Sequence, residues 1–534
     1  MKPKTKVVSA ILSLVMLSGA AMGCSKGGEN TNTSSSSEPS AITGTASYPI
    51  KTDKKLTYWG EYITVKPNMS EVPFFQEWQK RTGVPITFIS PPAGQEKEGL
   101  NVLLASGDLP DMMEYDWFSF PGGPEKAISD GYILRLNDAI DKYAPNLKKY
   151  LKEHPEVDKM VKTDNGSYYT FPFIRGDAML QVYQGPIVRK DWLDELGLKV
   201  PETIDDYYNV LKAFKEKKGV TVPLSFTGIG QFNNGAFVGA YGTNRGFFEE
   251  SGKVLYGPMQ SGYKEFLTTM RKWYAEGLLD KNIAAVDGKT LDANITSGAT
   301  GITIGNAGGG IGKWTPVLKE KDPKAILAPA PYPVLNKGET PKFGQKDHAY
   351  TTYDNVAISG NSKNVELAVR LLDWGYSEEG HMFYNFGQEG VSYKMENGYP
   401  KYTDLLMKNP EKLAPAQAMS LYIRANSGGP FVQDKRYIEQ YLTLPEQQEA
   451  IKIWAKTDSD KYSLGLSTST SEESSELAKI MNDVNTLMDE MTLKIILGTE
   501  PVDAYDKYME KLKSLKIDRA LQIKQSAYDR YLKR

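Results

Sequence analysis

The sequence predicts an α/β protein of two lobes with a ligand cleft between them, preceded by an export segment and followed by extra C-terminal helices. Three observations predict it. From Leu56 onward, short β-type runs alternate with amphipathic helical stretches, the pattern of parallel sheets covered by helices. The alternation restarts near Arg189 and the first block resumes after Tyr350, so the chain crosses between two blocks more than once. About 490 residues follow the leading segments, enough for two or three domains.

The leading segment comes first. Lys2, Lys4 and Lys6 precede an apolar run from Val7 to Leu17, which exits through Ala20-Ala21-Met22-Gly23 into Cys24. A basic start, a short apolar core and small exit residues describe a secretory signal peptide, whereas a membrane span needs about 20 apolar residues. Cys24 is the sole cysteine, so it has no disulfide partner. Its position matches a bacterial lipobox, with Ala21 in place of the usual leucine, and Cys24 is expected to be lipidated (palmitate-type acylation). Residues 25–47 contain no aromatic residue and are rich in Ser, Gly, Asn and Thr, a composition that cannot bury a core. Such a tether reaches roughly 25–30 Å. Cleavage removes three lysines and takes the formal charge from −2 to −5. With no long basic run, nucleic acid is excluded as a partner. The 32 Tyr and 8 Trp against 3 His favour stacking on flat ligands over metal or imidazole chemistry.

In the first block, Leu56–Trp59, Ile86–Ile89 and Met112–Tyr115 read as strands. Between them, Phe74, Phe75 and Trp78 share one helical face ended by Gly83, and Leu100, Leu103 and Leu104 mark a helix stopped by Gly107 and Pro110. Asp164-Asn165-Gly166 predicts a hairpin turn between Met160-Val161 and Tyr168-Tyr169. In the second block, Thr203 caps a helix with Asp206 at its third position and Tyr207, Val210, Leu211 and Phe214 facing inward. A helix over about 263–276 buries Phe266, Met270 and Trp273. Ile302-Thr303-Ile304 is a strand running into a glycine-rich stretch, Gly305 to Gly312. After Tyr350, Asn355–Ser359 is a strand and 365–376 a helix. The last 60 residues are helical, with Leu477, Ile480, Met481 and Val484 on one face. Ligands bind outside the carboxyl ends of parallel strands, so the loops there should line the cleft.

Four local patterns now stand in order: Leu104-Ala105-Ser106-Gly107-Asp108-Leu109-Pro110-Asp111, Arg189 to Leu198, Lys272 to Leu279, and Phe386-Gly387-Gln388-Glu389-Gly390. With the lipobox and tether, these make the chain resemble the extracellular solute-binding proteins (family 1) of carbohydrate ABC importers. The closest branch is the roughly 500-residue lipoproteins of Gram-positive bacteria. The resemblance implies a two-lobed periplasmic-binding-protein-like fold with a hinge. It also implies capture of an oligosaccharide, delivery to ABC importer permease subunits, a monomer, and a place on the extracellular face of the cell membrane. The expected segments are 1–23 signal peptide, 24–47 lipidated cysteine and tether, 48–185 first part of lobe 1, and 186–350 lobe 2. Residues 351–534 are expected to return to lobe 1 and add a helical segment shared between lobes. Many relatives carry an acidic calcium loop after the helix that follows the Asp-Trp-Leu pattern. Here that segment is Lys215 to Pro223, shortened and basic, so no calcium, other metal or cofactor is expected.

A sugar site needs aromatic platforms and planar hydrogen-bonding groups. Trp59, Asp116 and Trp117 at the strand ends are expected contacts, against the alternative that both tryptophans pack the lobe. Arg175 either forks onto hydroxyls or a uronic carboxylate, or makes an interlobe salt bridge. Gln231, Asn233 and Asn234 form a polar loop cluster or a solvated turn. Trp314 is a platform from the second lobe, and Tyr384, Glu389, Tyr422 and Arg424 are weaker candidates. Trp192, Trp273 and Trp374 sit at helical spacing and read as core. On this reading Trp59→Ala weakens binding more than tenfold at nearly constant melting temperature.

No catalytic set emerges. Ala307 to Trp314 lacks the first glycine of a phosphate-binding loop and has Trp where Ser or Thr must stand. The histidines 154, 348 and 381 are scattered, and no Gly-x-Ser-x-Gly occurs. The protein is therefore expected not to be an enzyme. The rival readings are a surface glycoside hydrolase or polysaccharide lyase, whose paired carboxylates arise by chance among 66 acidic residues, and a binding protein for a non-sugar solute such as a peptide.

Overall fold

The structure, a computed structural model, describes residues 47–534; Cys24, the expected signal peptide and nearly all of the tether lie outside them. In chain order the strands are β1 (Leu56–Trp59), β2 (Ile86–Ile89), β3 (Met112–Tyr115), β4 (Ile174–Arg175), β5 (Gln184–Arg189), β6 (Phe247–Glu250), β7 (Lys253–Tyr256), β8 (Ile302–Asn306), β9 (Leu327–Pro329), β10 (Asn355–Ile358), β11 (Tyr393–Glu396), β12 (Tyr399–Tyr402) and β13 (Val432–Gln433).

Two sheets organise the chain. The first has the order β10-β3-β1-β2, with β1 parallel to both β2 and β3, and β10 antiparallel at the edge. This is the parallel sheet that the strand–helix alternation predicts, closed by the returning strand at Asn355. The helix Pro73–Thr82 shows why the local sequence folds so. Pro73 begins it where a missing N–H costs nothing, Gly83 ends it at φ 74°, and Phe74, Phe75 and Trp78 are buried on its inward face. Each of those rings contributes about 1.5–3 kcal/mol of burial energy. Because β1, β2 and β3 run the same way, their carboxyl ends share one rim, which carries Gly60, Glu61 and Asp116.

The second sheet has the order β8-β5-β9, both pairs antiparallel. Period-two alternation sends its side chains to two cores. Val188, Ile302 and Ile304 face one that holds Tyr207, Phe214, Phe266 and Trp273, while Ile187 and Leu327 face another that holds Trp314 and Trp454. The helix Ile204–Lys218 starts on the expected capping box, with Thr203 Oγ1 accepting from Asp206 N and Asp206 accepting from Thr203 N, both 3.1 Å. The basic residues Lys215, Lys217 and Lys218 form its last turn, Gly219 ends it at φ 67°, and the chain returns directly to Leu224, buried in the same core.

The chain passes between the two sheets along residues 176–183, 330–354 and 434–444, since the helix Pro445–Trp454 packs on β5 and β9. The helix Ser471–Leu497 lies along Ser261–Ala275 and buries Ile480, Val484, Met488 and Met491 in the second core. From the last helix, Ile517–Leu532, Arg530 Nε reaches Asp164 Oδ2 at 2.9 Å, tying the C-terminus to the turn at Asp164-Asn165-Gly166. That turn forms with Gly166 at φ 73°, but its flanks are not strands. Met160 closes the helix Pro155–Met160, and pairing is limited to Lys162 opposite Tyr168. Among the described residues no helix is long and apolar enough to cross a membrane.

Candidate functional site

Two cavities, of about 380 and 610 Å³, adjoin at Ala416, Asn426 and Ser427 and together make the candidate cleft. Its walls come from both sheets. Glu61 to Val65 follow β1 at the carboxyl rim of the first sheet, and Asn306 ends β8 of the second with Ala307 to Gly309 following it. Arg175, Tyr183, Tyr353 and Asp354, on or near the connecting segments, lie between them.

Glycine shapes the second wall. The chain leaves β8 in a wide π-helical turn, Ala307–Gly312, that leads into the helix Lys313–Lys321. A Cβ at Gly305 would sit 2.9 Å from the Trp314 ring and one at Gly310 3.0 Å from it. These glycines admit the indole beneath the turn, where its Nε1 donates to Asp292 Oδ1 at 2.7 Å. Gly308 and Gly309 then present bare backbone to the cleft.

Arg175 is the polar centre of the smaller cavity. Its Nη2 donates to Asp347 Oδ2 at 2.8 Å and to the Tyr353 hydroxyl at 2.6 Å, and its Nη1 approaches Gln433 Oε1 at 3.4 Å. Its Nε is buried and has no hydrogen-bond partner, and neither has Asn426 Oδ1 on the shared wall. A donor and an acceptor are thus left unpaired in two residues of the cleft wall, each at a cost to the protein as it stands. Burial raises the Tyr353 and Tyr183 phenols above their ordinary value, so both stay protonated and can donate. Tyr437 and Tyr441 stack with centroids 5.8 Å apart and add a flat apolar floor.

The larger cavity has an acidic wall. Glu61, Glu96 and Asp354 line it, with Arg424. Burial, then the charge of Glu114, pushes the Glu96 carboxyl up to about 7 and that of Asp354 to about 8. Asp354 holds φ 58°, an uncommon value for a non-glycine residue.

The expected contacts divide sharply. Arg175 lines the smaller cavity and makes a salt bridge to Asp347. Trp59, Trp117, Trp314 and Tyr384 do not offer platforms. Trp59 is buried against the helix Glu96–Ser106, close to Gly99. Trp117 is fully buried beside Tyr115 and Phe120 and donates to the Met113 carbonyl. Tyr384 stacks on Phe431 at 4.8 Å within the first core. A ring with no open face cannot stack on a sugar. Arg424 does line the larger cavity, but it is buried and bound to Glu114 at 2.5 Å. Asp116 sits on the rim and caps a turn by accepting from Ser119 N at 3.1 Å; burial raises its carboxyl. Gln231 donates to Thr227, Asn233 is exposed and accepts from Arg245, and neither lines the two cavities. Asn234 instead donates to Gln184, which donates to Asn306 on the cleft wall. Glu389 is exposed in a turn and Tyr422 packs on a satellite core, both outside the cleft.

Sequence reasoning missed Glu96, Asn306, Tyr353, Asp354, Asn426 and the Tyr437–Tyr441 pair as site residues. They come from five separate segments, and no local motif unites them. The available signal was the expected crossing at Tyr350–Asn355, which contains two of them.

A family model described as bacterial extracellular solute-binding protein matches residues 67–382. The fructooligosaccharide ABC transporter substrate-binding protein FusA of Streptococcus pneumoniae is 27% identical, covering 99% of each chain. The polygalacturonan/rhamnogalacturonan-binding protein YtcQ of Bacillus subtilis is 26% identical over 82% of this chain and 84% of that one. Among solved structures, the alginate-binding protein AlgQ2 without calcium ion superposes with a TM-score of 0.74 at 27% identity, covering 91% of this chain and 100% of that one. FusA in complex with kestose gives 0.71 at 25% identity, with 90% and 99% covered.

Proposed function

Since the chain belongs to the bacterial extracellular solute-binding protein family, a family of non-catalytic binders, we propose that it is a lipid-anchored receptor that captures an oligosaccharide for an ABC importer. The observation that carries this reading is the cleft itself. It combines tyrosine faces with planar polar groups, and it leaves Arg175 Nε and Asn426 Oδ1 unpaired on its walls. Sugars present C–H faces and rows of hydroxyls, and these two kinds of surface complement them. Relatives named for fructooligosaccharide, polygalacturonan and alginate binding support a carbohydrate over a peptide.

The working cycle follows from where the walls originate. Lobe 1 would comprise 48–185 and the strand returning after 350, and lobe 2 would comprise 186–350. Segments 181–188 and 350–355 would act as hinges. A sugar touching Glu61 or Asn426 on one side and Asn306 on the other binds the closed form better than the open one, and so shifts the equilibrium toward closure. The closed form would dock on the permease. Cys24 would hold the receptor at the extracellular face of the membrane, with Cys24→Ser releasing it to the medium.

The test is calorimetric titration of the purified protein with fructo-, galacto-, malto- and cello-oligosaccharides. At least one series should bind and be recovered uncleaved. Arg175→Gln should weaken that binding at least tenfold with little change in melting temperature. Failure of every series to bind, or unchanged affinity in Arg175→Gln, would overturn the assignment of ligand or of site.

A further inference from the structure

We propose that the cleft selects uncharged oligosaccharides and rejects carboxylated ones, through Glu61, Glu96 and Asp354 on the first-lobe wall; this rests on the sugar-binding reading above.

Recognition of a uronic acid requires a cation free to meet its carboxylate, usually a forked guanidinium. Each cavity has a single cationic lining residue among the described residues, and both are committed. Arg424 gives Nη2 to Glu114 Oε1 at 2.5 Å and Nε to the Gly428 carbonyl at 2.7 Å. Arg175 gives Nη2 to Asp347 and Tyr353 and one Nη1 hydrogen to Gln433, which leaves its buried Nε and the second Nη1 hydrogen. Facing them, Glu96 and Asp354 accept no hydrogen bond from any described residue, and Glu61 accepts one from Gly94 N. The wall therefore carries free acceptors, while its one cation, Arg424, is taken up by Glu114 and Gly428. That suits ligand hydroxyls, which donate, and opposes a ligand carboxylate, which cannot.

The raised carboxyls of Glu96 and Asp354 fit the same picture, because burial first, and then neighbouring negative charge, drives them toward the neutral acid. A further anion in the cleft would add to that repulsion. One unit charge about 6 Å from another, at the effective dielectric of a protein surface, changes affinity roughly a hundredfold.

The experiment uses kestose, maltotriose, cellotriose and galactotriose, each with its C6-oxidised counterpart and the methyl ester of that counterpart, titrated into the protein at pH 8.5. Every neutral sugar that binds should lose about a hundredfold on oxidation and recover at least tenfold of it on esterification, which restores neutrality without removing bulk. The loss should shrink in 0.5 M salt. In Glu96→Gln combined with Asp354→Asn, the ratio of neutral to oxidised affinity should fall at least tenfold. An oxidised sugar that binds as tightly as its parent, an ester that recovers nothing, or a ratio unmoved by salt and by the double variant would overturn the charge selection and leave the sugar site standing. Binding of none of the sugars would overturn the sugar reading and this inference with it.

Discussion

Replacing Arg424 by leucine should destabilise the protein far more than it alters any ligand. Arg424 is 2% exposed and Glu114 3%, and their 2.5 Å contact lies beneath the larger cavity. The Tyr58 hydroxyl donates to the other oxygen of Glu114, and the guanidinium stands 4.7 Å over the Tyr62 ring. Removing the cation leaves a buried carboxylate with a single donor, which costs about 3–5 kcal/mol. With about 2.1 cal/mol/K of unfolding entropy per residue, a cooperative unit of this length has roughly 1 kcal/mol/K, so the midpoint should fall by about 3–5 °C. Were the first lobe to melt separately, the fall would be about twice that. Calorimetry measures the shift, and urea titration measures the free energy. Adding Glu114→Met should restore at least half of the loss, since a buried pair replaced by apolar groups is often neutral. Stability within about 0.5 kcal/mol of wild type in Arg424→Leu, or strictly additive losses in the double variant, would refute the reasoning. Arg424 would then be what the sequence alone predicts, a ligand contact.

Trp59→Ala and Trp314→Ala should each cost about 3–5 kcal/mol by urea denaturation, because each removes a buried indole and leaves a cavity; an unchanged midpoint with lost affinity would reinstate either ring as a platform. Glu96 makes stability fall with rising pH. Its carboxyl, ordinarily near 4.5, is held up to about 7 in the folded protein. Between those values the native state binds the proton more tightly, so its contribution is greatest below about 4.5 and is lost as pH rises through 7. Glu96→Gln should therefore raise the melting temperature at pH 8 and flatten its decline between pH 5 and 8; an unaltered pH profile would contradict this.

Burial periodicity and site chemistry differ in how far they reach along the chain, and that explains what was legible. Helix faces repeat within four residues, so Phe74, Phe75 and Trp78, or Tyr207, Val210, Leu211 and Phe214, announce their cores locally. The same holds for β1 to β3 and for the return at Asn355. The cleft is assembled from segments as distant as Glu61, Glu96, Asn306, Asp354 and Asn426, which only the crossings bring together. Aromatic residues at strand ends were the misleading signal. A tryptophan supplies so much apolar area that packing claims it first wherever a small neighbour makes room, as Gly99 does for Trp59 and Gly305 and Gly310 do for Trp314. What remains for the ligand are tyrosines and polar groups on connecting segments. Arg175 is the expected contact that lines the smaller cavity, and it stands just before the crossing at 176–183. From there its guanidinium reaches Asp347 in another crossing, and only the folded chain brings the two together.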